Sequence, residues 1–174
     1  MARSELLCTD LASVELALDL GADRIELCAA LEVGGVTPGP GLLRRALQAR
    51  DRAAAAGRET EVVVLTRPRR GDFALDAGDF GALLADVVAA REAGADGVAL
   101  GVLTQQGEVD VSRTAELMAA AGAMRVTFHR AFDQLRDRAA GVEALLGLPG
   151  APPPGGFAAL GQRLSQAGHV SSAQ

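Results

Sequence analysis

The sequence predicts an α/β fold: part of a TIM-type (β/α) barrel, with about five βα units of the usual eight. Three observations predict it. Short apolar runs alternate with longer Ala- and Leu-rich segments of helical spacing over most of the chain. The run Val62-Val63-Val64-Leu65 is apolar at every position, as in a strand buried on both faces, which is the mark of parallel pairing with helical crossovers. Finally, Gly21-Ala22-Asp23-Arg24-Ile25-Glu26-Leu27 is echoed by Gly94-Ala95-Asp96-Gly97-Val98-Ala99-Leu100, a helix end leading into a strand, and such repetition suits a barrel. No Gly-x-Gly-x-x-Gly follows the first strand, which argues against a dinucleotide-binding open sheet.

The elements follow in order. Glu5 to Cys8 reads as the first strand, and Asp10 as the cap of a helix over 11–20 that Gly21 ends. The strand Arg24 to Cys28 leads to a helix over 41–56. Glu61 to Thr66 is the third strand, followed by a helix over 77–93 with Gly94 at its end. Gly97 to Gly101 is the fourth, followed by a helix over 110–122 with Asp110 as its cap; Arg125 to His129 is the fifth, followed by a helix over 134–147. Residues 1–147 are thus the expected barrel portion. The run Leu148-Pro149-Gly150-Ala151-Pro152-Pro153-Pro154-Gly155-Gly156 suits neither helix nor central strand, so 148–174 reads as a Pro/Gly-rich tail with a short helical stretch at about Phe157 to Ala167.

Composition narrows the function classes. With 174 residues, 49% of them hydrophobic and 22% charged, the chain is globular, and at 3% aromatic its core must come from Ala, Val, Leu and Ile. All 17 basic residues are Arg, which excludes a lysine Schiff base. A net charge of −5 argues against a nucleic-acid partner. No apolar run approaches the roughly 18 residues of a membrane span, and Met1 to Asp10 lacks a signal-peptide stretch. We therefore expect a cytoplasmic, non-membrane protein whose two cysteines stay reduced.

Parallel α/β folds bind ligands at the carboxyl ends of their strands. Cys8 and Cys28 end consecutive strands; if both thiols point inward at similar height they can share a soft cation, for which Cu(I) is the best match, and otherwise they pack as small apolar groups. Thr66-Arg67-Pro68-Arg69-Arg70-Gly71-Asp72-Phe73 offers Arg67 and Arg69 as forks for a carboxylate or phosphate; an ion pair between Arg67 and Glu26 is the structural alternative. Strand alternation puts Glu26 with Cys28 and Thr127 with His129. Glu26 and His129 are the candidates for acid/base chemistry, and His129 is a possible imidazole ligand beside the thiols.

Six segments together resemble the CutC family of copper homeostasis proteins: residues 21–28, Gly34-Gly35-Val36-Thr37-Pro38, Arg67-Pro68-Arg69-Arg70-Gly71-Asp72-Phe73, 95–104, Gly107-Glu108-Val109-Asp110, and Val126-Thr127-Phe128-His129-Arg130-Ala131-Phe132-Asp133. The resemblance covers about residues 6–147. It implies a cytoplasmic barrel protein associated with copper handling, with Cys8 and Cys28 at the positions of the family's proposed copper ligands; its barrel mouth looks equally like the site of an enzyme acting on a small anionic metabolite. Departures are the loss of the acid before Cys8, Val33 where the family has Glu, Arg70 in place of Gly, and no counterpart of the last barrel strands. The resemblance therefore implies a C-terminally truncated or frameshifted member. The expected consequences are open sheet edges covered in a homo-oligomer, or a non-functional fragment of a longer barrel.

Overall fold

The computed structural model describes residues 4–148. Over that span, strands and helices alternate: β1 (Glu5–Cys8), α1 (Leu11–Asp19), β2 (Arg24–Leu27), α2 (Pro40–Ala55), β3 (Glu61–Leu65), α3 (Ala77–Ala93), β4 (Gly97–Leu100), α4 (Val111–Ala121), β5 (Arg125–Phe128) and α5 (Arg138–Leu146). Short 3-10 turns occupy Leu31–Val33 and Arg130–Gln134. Asp10 caps α1 by accepting the Ser13 N–H at 2.7 Å, and Asp110 caps α4 through the Arg113 N–H at 3.0 Å. Gly94 closes α3 in the left-handed region at φ 87°.

Two sets of boundaries differ from expectation. Strands two to five each end one residue early; Cys28, Thr66 and His129 donate a last N–H to a neighbouring strand and then leave the ladder. The last helix starts at Arg138 rather than 134, because Arg130–Gln134 close as a 3-10 turn and Asp137 then caps α5 through the N–H groups of Ala139 and Ala140. Residues 149–174, with the expected helical stretch at 157–167, lie outside the described residues, while Leu148 is buried beside Leu145 and Phe128.

The five strands pair in sequence order, β1-β2-β3-β4-β5, and every pairing is parallel. Ile25, Leu27, Val62, Val64, Val98 and Leu100 form one face of the sheet, where they meet the buried stripes of α1 to α4. Helices α1 to α4 thus cover a single face while strand order never reverses. That is an arc of a (β/α) barrel, since a doubly wound sheet reverses order and carries helices on both faces. Each fully buried aliphatic side chain in this layer contributes about 1.5–3 kcal/mol.

The other face is the inside of the arc, and its residues fall into layers. At the amino ends of the first three strands, register aligns Glu5, Arg24 and Glu61. Arg24 pairs with Glu5, and Arg125 reaches Glu61 at 2.9 Å across β4. Gly97 makes that reach possible: a Cβ there would sit 2.8 Å from the Arg125 carbonyl oxygen and 3.2 Å from the Val63 side chain. One layer up, Leu7, Glu26, Val63, Gly97 and Arg125 align, and beyond them Leu65, Ala99 and Thr127. At the carboxyl ends stand Cys28, Leu65 and His129. Among the described residues, β1 and β5 are each hydrogen-bonded along one side only, and Leu7 of β1 is 45% exposed. No helix among the described residues is long and apolar enough to cross a membrane.

Candidate functional site

Arg67 follows β3 and organises the carboxyl edge. Its guanidinium is 5% exposed and is held by carbonyl oxygens: Nη1 donates to Val33, Gly34 and Gly35 at 3.3, 3.3 and 3.0 Å, and Nη2 to Gly71 at 2.7 Å. Its backbone exchanges hydrogen bonds with Thr37, N–H to Oγ1 and carbonyl from N–H, both at 2.9 Å. One side chain thus ties the Gly34-Gly35 loop to the loop after β3. The sequence puts glycine where these loops need it. Gly35 has φ 81°, and a Cβ there would sit 2.6 Å from Leu65 Cδ2; a Cβ at Gly34 would collide with the guanidinium of Arg130.

No carboxylate pairs with Arg67 among the described residues. The alternative of an Arg67–Glu26 ion pair is not what forms; Glu26 lies nearer Glu5 and Arg24. Instead Arg67 has like charges for neighbours. Burial, then the guanidiniums of Arg130 and Arg69, weaken its hold on its proton. Arg67 Nε is buried and has no hydrogen-bond partner.

His129 ends β5 and is 5% exposed. Its Nδ1 accepts the Ala131 N–H at 3.3 Å, while Nε2 is buried without a partner. Both groups pack on Phe73: its ring centre is 4.8 Å from the Arg67 guanidinium and 5.0 Å from the imidazole centre. Burial and the charge of Arg67 push the imidazole down to about 3. An imidazole held there is neutral at ordinary pH in the chain without a ligand.

Glu26 is the carboxyl whose proton affinity is most changed by the fold. Burial first, then the neighbouring Glu5, raise its carboxyl to about 7, with Arg24 pulling the other way. A carboxyl poised near neutrality can both hold and release a proton there.

The remaining expected ligands separate. Arg69 is occupied: it pairs with Asp79, and with Asp72 at 3.1 Å. The expected anion fork at Arg69 is therefore corrected; Arg130, exposed and beside Gly34, stands at the mouth instead. Its position directly after His129 was the available signal. The cysteines are neighbours, with the Cys28 N–H donating to the Cys8 carbonyl at 3.0 Å. Their thiols are not both inward. Cys8 is in register with Leu27 and packs in the helix-facing core, whereas Cys28 packs with Val63, Leu65 and Ala99 inside the arc. Burial raises both thiols, Cys28 to about 11, so neither is an ordinary thiolate. The donor atoms suit Cu(I), but this placement does not bring them to one point, and no group of three or more His, Cys, Asp or Glu side chains among the described residues could hold a metal.

Comparison with known proteins agrees with the architecture. The model of the CutC family matches residues 2–151. A CutC family protein of Mesorhizobium japonicum is 46% identical over 126 residues, 72% of this chain and 46% of its own length. One from Citrobacter koseri is 47% identical over 133 residues, 76% of this chain and 50% of its own. The chain spans about half the length of these curated relatives. The crystal structure of a copper homeostasis candidate, CutC from Streptococcus agalactiae, superposes with a TM-score of 0.76 at 28% identity, over 85% of this chain and 70% of that one.

Proposed function

The chain belongs to the CutC family, and from that premise we propose that its barrel mouth binds a small anionic metabolite, held by Arg67 and Arg130, with Glu26 available to carry a proton. One observation carries this reading. A guanidinium that is 5% exposed has no carboxylate partner among the described residues and has two further guanidiniums for neighbours. A buried charge without a counter-ion is costly, and a bound anion relieves it. Guanidinium forks suit carboxylate or phosphate, and the carboxyl end of the strands is where barrel ligands sit.

The test is titration of the full chain with inorganic phosphate and with small mono- and dicarboxylates, followed by calorimetry. We expect saturable binding that weakens with salt, and a loss of about tenfold in Arg130→Ala, whose exposed side chain is not part of the core. Equal affinity in the parent and Arg130→Ala proteins overturns the assignment.

Copper is the second reading, favoured by the name of the streptococcal relative and by the backbone bond that sets Cys8 beside Cys28. Here Cu(I) is cargo, and the Cys8 thiol has to turn from the α1 side into the arc to meet Cys28. Cu(I) titration of the reduced protein against a Cys8→Ser/Cys28→Ser variant decides it; equal stoichiometry and affinity sink the copper site. Two free buried thiols fit the cytoplasm, and the half-paired β1 edge is where a second copy would add.

A further inference from the structure

Two buried hydrogen-bond donors at the barrel mouth lack acceptors among the described residues. The first is Arg67 Nε, whose N–H is permanently present because the guanidinium keeps its charge. The second is settled by the backbone. With Nδ1 of His129 accepting the Ala131 N–H at 3.3 Å, the neutral ring carries its proton on Nε2, the buried atom without a partner among the described residues. Both side chains are 5% exposed, and both lie against the same Phe73 ring, 4.8 and 5.0 Å from its centre. Buried donors are almost always satisfied, because a donor stripped of water and given no acceptor loses its hydration with nothing in return. Two such donors on one aromatic ring call for an acceptor that the described residues do not supply.

We infer that Arg67 Nε–H and the Nε2–H of a neutral His129 form a donor pair for the oxygens of an acceptor-only anionic group, a phosphate or carboxylate, and that His129 serves as a fixed electrophilic donor rather than as a base. This rests on the anion reading above and names what it leaves open, the part played by His129. Several features hold the imidazole in that role. The Ala131 N–H fixes the tautomer, Phe73 and Phe128 pack on the ring, and Gly101 leaves the space it fills; a Cβ at Gly101 would lie 2.6 Å from Nδ1. The charged groups facing it are Arg67 and Arg130, and their charges oppose protonation of the ring. A neutral imidazole can polarise a carbonyl or phosphoryl oxygen without competing for its proton. Ligand specificity follows: groups that only donate, such as ammonium, find no acceptor at either atom.

The experiment uses the full chain labelled with 15N. Long-range proton–nitrogen spectra of the His129 ring are recorded at pH 7 while inorganic phosphate, and separately acetate, is added. We expect the pattern of a neutral ring protonated at Nε2 before addition, and a shift of the Nε2 resonance that saturates with binding. Affinity should fall about tenfold in His129→Ala, the loss expected for one hydrogen bond to a charged group, and recover in part in His129→Gln, whose amide can donate from a similar place. A ring protonated at Nδ1, an imidazolium, or binding that leaves Nε2 unmoved and both variants unchanged overturns this inference while the anion reading stands. No binding of either probe overturns both.

Discussion

The two faces of the sheet are built from the same five strands and do opposite things. On the helix side, Ile25, Leu27, Val62, Val64, Val98 and Leu100 are all fully buried under α1 to α4. One residue along each strand, the inside of the arc carries Arg24 and Glu26, Glu61, and Arg125, and beyond the strand ends it carries Cys28 and His129. Side chains alternate along a strand, so a single step exchanges packing for chemistry. Stability and function are separated here by parity, at a distance of one residue.

The sharpest test of that separation is to delete the same volume on each face. Leu27→Ala on the helix side should lose about 2–5 kcal/mol, the usual cost of a cavity in a packed core. Leu7→Ala, inside the arc and 45% exposed, should change stability by less than about 0.5 kcal/mol. Urea denaturation measures both. Equal losses would mean that something covers the inside of the arc in solution, and sedimentation across a concentration series would then reveal whether it is a second copy.

A titratable group marks the inner face in a second way. The carboxyl of Glu26, raised to about 7 from an ordinary value of 4.5, keeps its proton in the folded chain where the unfolded chain has released it. Between those values this carboxyl binds more protons in the folded state, so its own contribution to stability falls as pH rises from about 4.5 to about 7, whereas His129, held down to about 3, contributes the opposite slope up to about 6.5. The largest span the Glu26 shift allows is about 3 kcal/mol. Chemical denaturation from pH 4.5 to 8 of the parent and of Glu26→Gln isolates this contribution as their difference, which should fall between about 4.5 and 7. A pH dependence identical in the parent and Glu26→Gln would remove this mark of the inner face.

The sequence was explicit about the elements and silent about partners. All five strands, the caps at Asp10 and Asp110 and the stop at Gly94 could be read because they depend on local chemistry: alternating apolar runs, a carboxylate before a helix, a glycine with positive φ. The pairing of Glu26 with Cys28 on one face was also readable, since it needs only the alternation within one strand. The relation between Cys8 and Cys28 was not, because it depends on the register of β1 against β2, which aligns Cys8 with Leu27 instead. Arg69 and Arg130 differ for a similar reason. Both stand at the edge in sequence, but the folded loop brings Asp79 and Asp72 to the first and leaves the second against Gly34.

The smallest expected effect lies at the amino end of the inner face, where Arg125 meets Glu61 at 2.9 Å. This pair is inside the arc, yet the Arg125 side chain is 62% exposed, so water screens it and its coupling should be below about 1 kcal/mol. A double-mutant cycle of Arg125→Gln and Glu61→Gln measures the coupling, and it should shrink further at 1 M salt. A coupling well above that bound, insensitive to salt, would mean that water is excluded from this layer. The inner face would then be closed at both ends, and the exposure of Leu7 would belong to the isolated chain alone. A small, salt-sensitive coupling instead leaves the charged layer as a solvated floor beneath Glu26, whose raised carboxyl then owes its shift to its own burial and to Glu5 rather than to a sealed interior.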